Sequence, residues 1–323
     1  MRFIFKTDYD QDIRLVKHGG QAFWYGLLVL VLLLAPLLLG DYWLSQLSFV
    51  LVYAVAGLGL MVLAGFTGLA SIGHAAFMGV GAYTETVLTL HGWPFPLSMA
   101  VAAGLSGAVG VVVGLPALRV KGIYLAIATL SFGFIVEEAL ARWESVTKGN
   151  AGITVPNPNF FGADLGSAEA YYYLALAVCA LVTLAVLNLL RSATGRAFIA
   201  IRDSEVSAQS MGIHLAGYKT LAFALSAAIV GLAGGLYAHK LRFISPDQFG
   251  IAQSVDLLLL VVVGGLGSVH GAFLGAIFLI TMPQLISLGK DWLPPAIGQA
   301  AGLQAVVYGV VLMGFVLFEI GRA

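Results

Sequence analysis

The chain has 323 residues, of which 60% are hydrophobic and 10% charged, and its 16 basic side chains balance 16 acidic ones. Soluble domains carry about 25% charged residues, so this composition, with a mean hydropathy of +0.95, excludes an ordinary soluble globule. The zero net charge argues against a nucleic-acid partner. What remains is an all-α, polytopic membrane helix bundle with room for roughly eight to ten transmembrane helices of about 20 residues. The 40 glycines suit close helix packing and glycine-interrupted segments. The single cysteine, Cys179, lies in an apolar run and reads as a small packed hydrophobe, which excludes an internal disulfide and a thiolate metal cluster.

Residues 1–21 hold Arg2, Lys6, Arg14 and Lys17 and read as a cytoplasmic N-terminal segment, whereas residues 22–320 read as the transmembrane domain. The apolar run 22–39 is followed by no convincing small-residue cleavage site, which predicts a retained first helix. A second span, 48–64, returns inward. Next comes GFTGLASIGHAAFMGVGAY (65–83), glycine-dense and polar at Thr67, Ser71 and His74. Such a stretch is tolerated at membrane depth only where protein or a water-filled path surrounds it. Glu85 follows in the same span, then an external turn at 91–96 with Trp93 at interface level, a span over 97–115, and a cytoplasmic turn holding Arg119 and Lys121. The span 123–141 carries Thr129, Ser131, Glu137 and Glu138, and 142–169 is the longest external segment.

After a span over 171–190 comes the longest polar interruption, residues 191–219, an island whose Arg191, Arg196, Arg202 and Lys219 mark it as cytoplasmic. Phe198, Ile201, Ala208 and Met211 fall in one arc of a helical wheel, with Asp203 opposite. Two readings stand: a short amphipathic helix that docks a soluble partner, or a solvated loop that joins two spans. The chain continues through a span over 220–238, an external segment over 239–254, an apolar run that meets GGLGSVHGAFLGAIF (264–278), an external segment over 288–299, and a last span over 303–318 with Arg322 inside. One internal echo stands out. GLASIGHAAFMG (68–79) overlays GLGSVHGAFLG (265–275) with one gap, pairing Ser71 with Ser268 and His74 with His270. A parallel repeat of this kind brackets a transport path in many transporters; chance in a chain this rich in Gly, Ala and Leu is the other reading.

No catalytic residues emerge. The phosphate loop GxxxxGK[ST] and the motifs HExxH, CxxC and GxSxG are missing, so the sequence predicts no enzyme, no metal site, no cofactor and no ATP cradle of its own. Polar groups inside spans are costly and commonly mark a pathway. Ser71, His74, Glu85, Ser131, Ser268 and His270 are therefore candidates to line a translocation path, against the alternative that each makes a helix-packing hydrogen bond. Glu137 and Glu138 lie near a span end, where snorkelling accounts for them.

The chain resembles the LivM-type permease subunit family of bacterial ABC importers for branched-chain amino acids, from about residue 57 to 318. The segments that carry the resemblance are GLASIGHAAFMGVGAY, RVKGIYLAIATLSFG, KGNAGI, GRAFIAIRDSEVSAQSMGIHLAGYKTLAFALSA and VVVGGLGSVHGAFLGA, in that order. The resemblance implies a multi-pass protein of the bacterial inner membrane with both termini cytoplasmic. It also implies a second, LivH-like permease, two cytoplasmic ATPase subunits that bind the ATP, and a periplasmic solute-binding protein. It assigns the island around Arg196, Arg202, Asp203, Glu205, Ala208 and Gly212 to coupling with an ATPase. Two departures are visible: the spacing from Glu205 to Gly212 matches the importer coupling motif only loosely, and the end FEIGRA lacks an arginine-proline-glycine tail. Related permeases for urea, short amides or aromatic acids share the pattern, and a stand-alone ion-coupled secondary transporter is the alternative from another class.

Overall fold

A computed structural model of the chain describes residues 19–117, 122–160 and 163–290, with pieces at 306, 309–310 and 313–314. The expected N-terminal basic cluster, the turn at Arg119 and Lys121, Arg322 and most of the span 303–318 lie outside the described residues. Among those described, eight helices are long and apolar enough to cross a membrane.

The chain opens with α1 (Gly19–Leu38), whose side chains are almost all exposed, as suits a helix solvated by lipid. Next, α2 (Asp41–Leu60) continues into a π-helical turn at Met61–Gly65. Every residue from Val50 to Leu63 is buried, so α2 is a central helix. Then follow α3 (His74–Leu90), α4 (Phe95–Ala117) and α5 (Ile123–Arg142). A segment of short turns and two-residue strands leads to α6 (Ala168–Arg191), whose start is capped by the Ser167 hydroxyl accepting from the Ala170 amide. Three capped helices follow in quick succession: α7 (Ala193–Asp203), α8 (Glu205–Ser210) and α9 (Leu215–Leu241). The last two long helices among the described residues are α10 (Ile251–Gly264) and α11 (Val269–Lys290).

Small residues decide how these helices meet. A Cβ at Gly81 would overlap the Gly231 carbonyl, and one at Gly234 would overlap the Met78 carbonyl, so α3 and α9 touch backbone to backbone. Such approach raises dispersion contact where lipid offers no hydrophobic drive between helices. α9 also packs against α4 and α2, which makes it the hub of the bundle. α10 and α11 form a hairpin of the same kind, with Gly264 against Gly271 and Gly275 against the Leu260 carbonyl.

Several expected boundaries shift. The second span begins at Asp41 instead of residue 48, because α2 extends past its most apolar stretch. The stretch 65–83 divides: residues 68–73 are irregular and α3 starts at His74. The island is not one amphipathic helix. Ser204 is extended (φ −164°, ψ 113°) and separates α7 from α8, while residues 215–219 already form the first turn of α9. His239, expected in an external segment, lies in the last turn of α9 and is buried.

Candidate functional site

At one end of the bundle the two glycine-rich stretches of the sequence form two helix breaks that touch. The first runs from the π-helical turn of α2 to the start of α3; the second lies between α10 and α11. The Gly267 amide donates to Met61 Sδ at 3.2 Å across the pair. Gly68 (φ +72°) and Gly267 (φ +82°) hold a backbone conformation that side chains with a Cβ resist, which is why the turns fall there. Arg202, in the last turn of α7, lies between them. Its Nη1 donates to the Gly65 carbonyl at 3.1 Å, and its Nε and Nη2 face Asp203 Oδ1 at 3.3 and 3.2 Å.

The apolar arc expected on the island splits in a telling way. Phe198, Ile201 and Ala208 are buried against the bundle, but Met211 is 84% exposed because the bend at Ser204 turns α8 away from the line of α7. Val206, which the wheel did not single out, is 75% exposed. The greasy face therefore anchors the island, and its outward surface is Asp203, Val206 and Met211. Glu205 Oε1 accepts from Lys219 Nζ at 2.6 Å, with the Lys219 side chain only 5% exposed. So Lys219 closes an internal ion pair and is not a solvated charge. Arg196 bonds the Arg191 carbonyl at 3.0 Å, and Gly212 forms the left-handed turn after α8 (φ +83°). A groove of about 460 Å³ follows, lined by Glu205, Gln209, Gly212, His214 and Lys219 among others.

The six candidate path residues are not brought onto one surface. Ser71, His74 and Glu85 are buried; Ser131 and His270 are exposed, and Ser268 is half-buried. His74 joins Ser71 Oγ at 2.7 Å through Nδ1 and Ser226 Oγ at 2.8 Å through Nε2. Since Ser226 gives its own proton to the Gly59 carbonyl at 2.6 Å, it accepts from Nε2–H, and the neutral tautomer with Ser71 donating to Nδ1 satisfies all three groups. The amides at the start of α3 are also taken: Ile72 N–H by Thr129 Oγ1 and Ala75 N–H by Ser254 Oγ, both at 3.1 Å. Ser131 donates to the Ile127 carbonyl of its own helix, Ser268 accepts from the Gly271 amide, and His270 meets Tyr25 Oη at 2.9 Å. Among the described residues, no group of three or more His, Cys, Asp or Glu side chains is placed to hold a metal ion.

At the opposite end, Glu85 is fully buried. Its Oε1 receives Ser98 Oγ at 2.8 Å, Thr89 Oγ1 at 3.1 Å and His239 Nε2 at 3.0 Å. His239 Nδ1 reaches the Pro156 carbonyl at 3.0 Å, which ties the stretch around Pro156 to the bundle. Beside this contact, the strands Ile153–Thr154 and Phe243–Ile244 pair antiparallel.

Residues 42–318 match the family described as branched-chain amino acid transport system, permease component. The chain belongs to this family. It is 36% identical over 261 residues to the high-affinity branched-chain amino acid transport system permease proteins LivM of Salmonella typhimurium and of Escherichia coli, an alignment covering 73% of this chain and 61% of each relative. The chain thus spans less than two thirds of those relatives' length. It is 26% identical over 253 residues to the autoinducer 2 import system permease protein LsrC of an Enterobacter species, covering 75% of this chain and 68% of that one. No solved structure matches.

In this family member, sequence reasoning missed the bonds made by His239, Ser226 and Thr129, although it named Thr129 as a polar residue in its span, and the partnership of Lys219 with Glu205. The first three bond residues 57 or more positions away, which no local pattern reports. The bend at Ser204 did carry a signal: Ser192, Ser204 and His214 each accept from the amide three residues ahead, the spacing of helix caps.

Proposed function

We propose that this multi-pass membrane protein is the permease subunit of an ABC importer that carries a small amphipathic solute, a branched-chain amino acid, into the cytoplasm on ATP hydrolysed by partner subunits. It pairs with a second, LivH-like permease in the inner membrane, with both termini and the island cytoplasmic. Two ATPase subunits dock on the island and a periplasmic binding protein delivers the solute. The observation that carries this reading is the island itself: a buried inner face seats it on the bundle, while Asp203, Val206 and Met211 are presented outward. Outward apolar side chains on a polar element suit insertion into a soluble partner's groove.

The island also leads straight to the helix breaks, so movement of a docked ATPase has a short route to the membrane-embedded segments. Alternating access needs two packings of similar energy, and touching glycine breaks supply a place where they can differ. The test is reconstitution: uptake of labelled leucine by liposomes that requires this chain, its partner permease, the ATPases, the binding protein and ATP together. Leucine uptake by this chain alone, driven by an ion gradient, would sink the proposal. The likeness to LsrC, an autoinducer 2 import permease, makes autoinducer 2 the competing solute, and the ligand held by the binding protein decides between them.

A further inference from the structure

Arg202 stands apart from the other arginines of the island because one edge of its guanidinium reaches a backbone carbonyl of the bundle while the other faces the exposed Asp203. α7 ends there, and the preceding turn places Phe198 and Ile201 in the bundle, which fixes the direction in which the side chain leaves the helix. Nη1 then meets the carbonyl of Gly65, a group at the end of a helix, where the last carbonyls have no partner in the helix itself. The amide four residues on, which a continuing helix would offer to this carbonyl, is committed elsewhere, since Leu69 N–H bonds the Leu63 carbonyl at 3.1 Å. The two breaks make room for this side chain. A Cβ at Gly68 would lie 3.0 Å from Arg202 Cγ, and one at Gly267 would lie 2.9 Å from Nη1. Asp203 takes the other edge of the fork and so holds its plane.

We propose that Arg202 is the strut that transmits displacement of the island to both helix breaks, and not a contact for the ATPase. This rests on the importer reading above and assigns a different role within it. Three features favour the strut. The guanidinium reaches a backbone carbonyl, so its hold does not depend on a side-chain rotamer at the far end. It is wedged between the two breaks, which are themselves joined through Gly267 and Met61, so a push on one is felt by both. Its planar fork engages an island residue and a bundle residue at once, which a lysine ammonium on a flexible stem cannot reproduce.

The experiment compares Arg202→Ala and Arg202→Lys with the docking variant Val206→Asp/Met211→Asp in the assembled complex. Both Arg202 variants should retain co-purifying ATPase and ATP turnover within about twofold, with solute uptake reduced at least tenfold; the docking variant should lose the ATPase itself. A cysteine label at Leu266, exposed in the second break, gives a second readout. Its mobility should respond to ATP in the parent complex and fall silent in Arg202→Lys, while a label at Gln209 still responds. Loss of the ATPase from Arg202→Ala or Arg202→Lys, or normal uptake by either, overturns the strut and leaves the importer reading standing. Absence of ATPase from the parent complex defeats the importer reading and the strut with it.

Discussion

The two ends of the bundle are each fastened by a charged side chain, and they are fastened in opposite ways. Near the island, Arg202 is 38% exposed, bonds a neutral carbonyl and sits among glycines. At the other end, Glu85 and His239 are 0% exposed, and Glu85 Oε1 gathers two hydroxyls and an imidazole. A carbonyl only accepts, so the Pro156 contact requires a proton on His239 Nδ1; a single further proton then bridges Nε2 and Glu85 Oε1. Among the described residues, Glu85 Oε2 has no hydrogen-bond partner. The desolvated end resists rearrangement because moving either partner strands a buried charge or polar group. The island end trades a wet, single hydrogen bond for another at little cost. Under the proposed mechanism the difference teaches where motion belongs: at the glycine breaks, with the Glu85 end as the fixed frame.

Breaking the frame should have the largest effect. Glu85→Ala strands His239 Nε2 and the Thr89 hydroxyl, while Ser98 keeps the Phe95 carbonyl, and should cost about 3–5 kcal/mol, as expected for removing one partner of a buried pair. Thermal loss of the monodisperse protein in detergent measures it. Glu85→Leu combined with His239→Leu should recover most of that loss, since apolar replacement of a whole buried pair is often neutral; a double variant as unstable as the single one contradicts the pairing. Next comes Ser226→Ala, which removes the acceptor of His74 and the donor to Gly59. Hydrogen bonds inside membranes are worth about 0.6 kcal/mol on average and up to about 2, so a fall in melting temperature of a few degrees is expected.

At the island end the stability effects should be smaller and the functional ones larger. Arg202→Lys should change stability by less than about 1 kcal/mol, the scale of a solvent-screened interaction, in the same preparations whose uptake falls at least tenfold. Ser131→Ala should do least, within about 0.5 kcal/mol, because Ser131 is exposed and bonds its own helix; unchanged uptake would remove it from the path, and a large loss would place it there. The natural charge-reversal test on Asp203 and Glu205 together is confounded, because Glu205→Lys faces the buried Lys219. Asp203→Lys alone is the clean probe.

Much of the helix inventory was legible because lipid solvation demands long apolar runs, and the two glycine-rich stretches announced their breaks. The cap signals at Ser192 and Ser204 went unread, and the helical wheel drew a single helix through Ser204 and put Met211 on the wrong side. Local patterns speak to residues a few positions apart. His239 looked external because its neighbours Lys240, Arg242 and Asp247 are polar, and only its partner 154 positions away explains its burial. Similarly, Lys219 read as a topology marker until Glu205, 14 positions back, neutralised it. Arg202 was singled out from the sequence, but its inward direction depends on where two distant glycine turns meet.

The central claim, that the island faces the cytoplasm and receives the ATPase, is tested most directly at Met211. A cysteine there, with the buried Cys179 giving no background, should react with an impermeant maleimide in inverted membranes stripped of ATPase. It should be protected when the ATPase is restored, and be silent in intact cells. Labelling of Met211→Cys from outside intact cells would contradict the account.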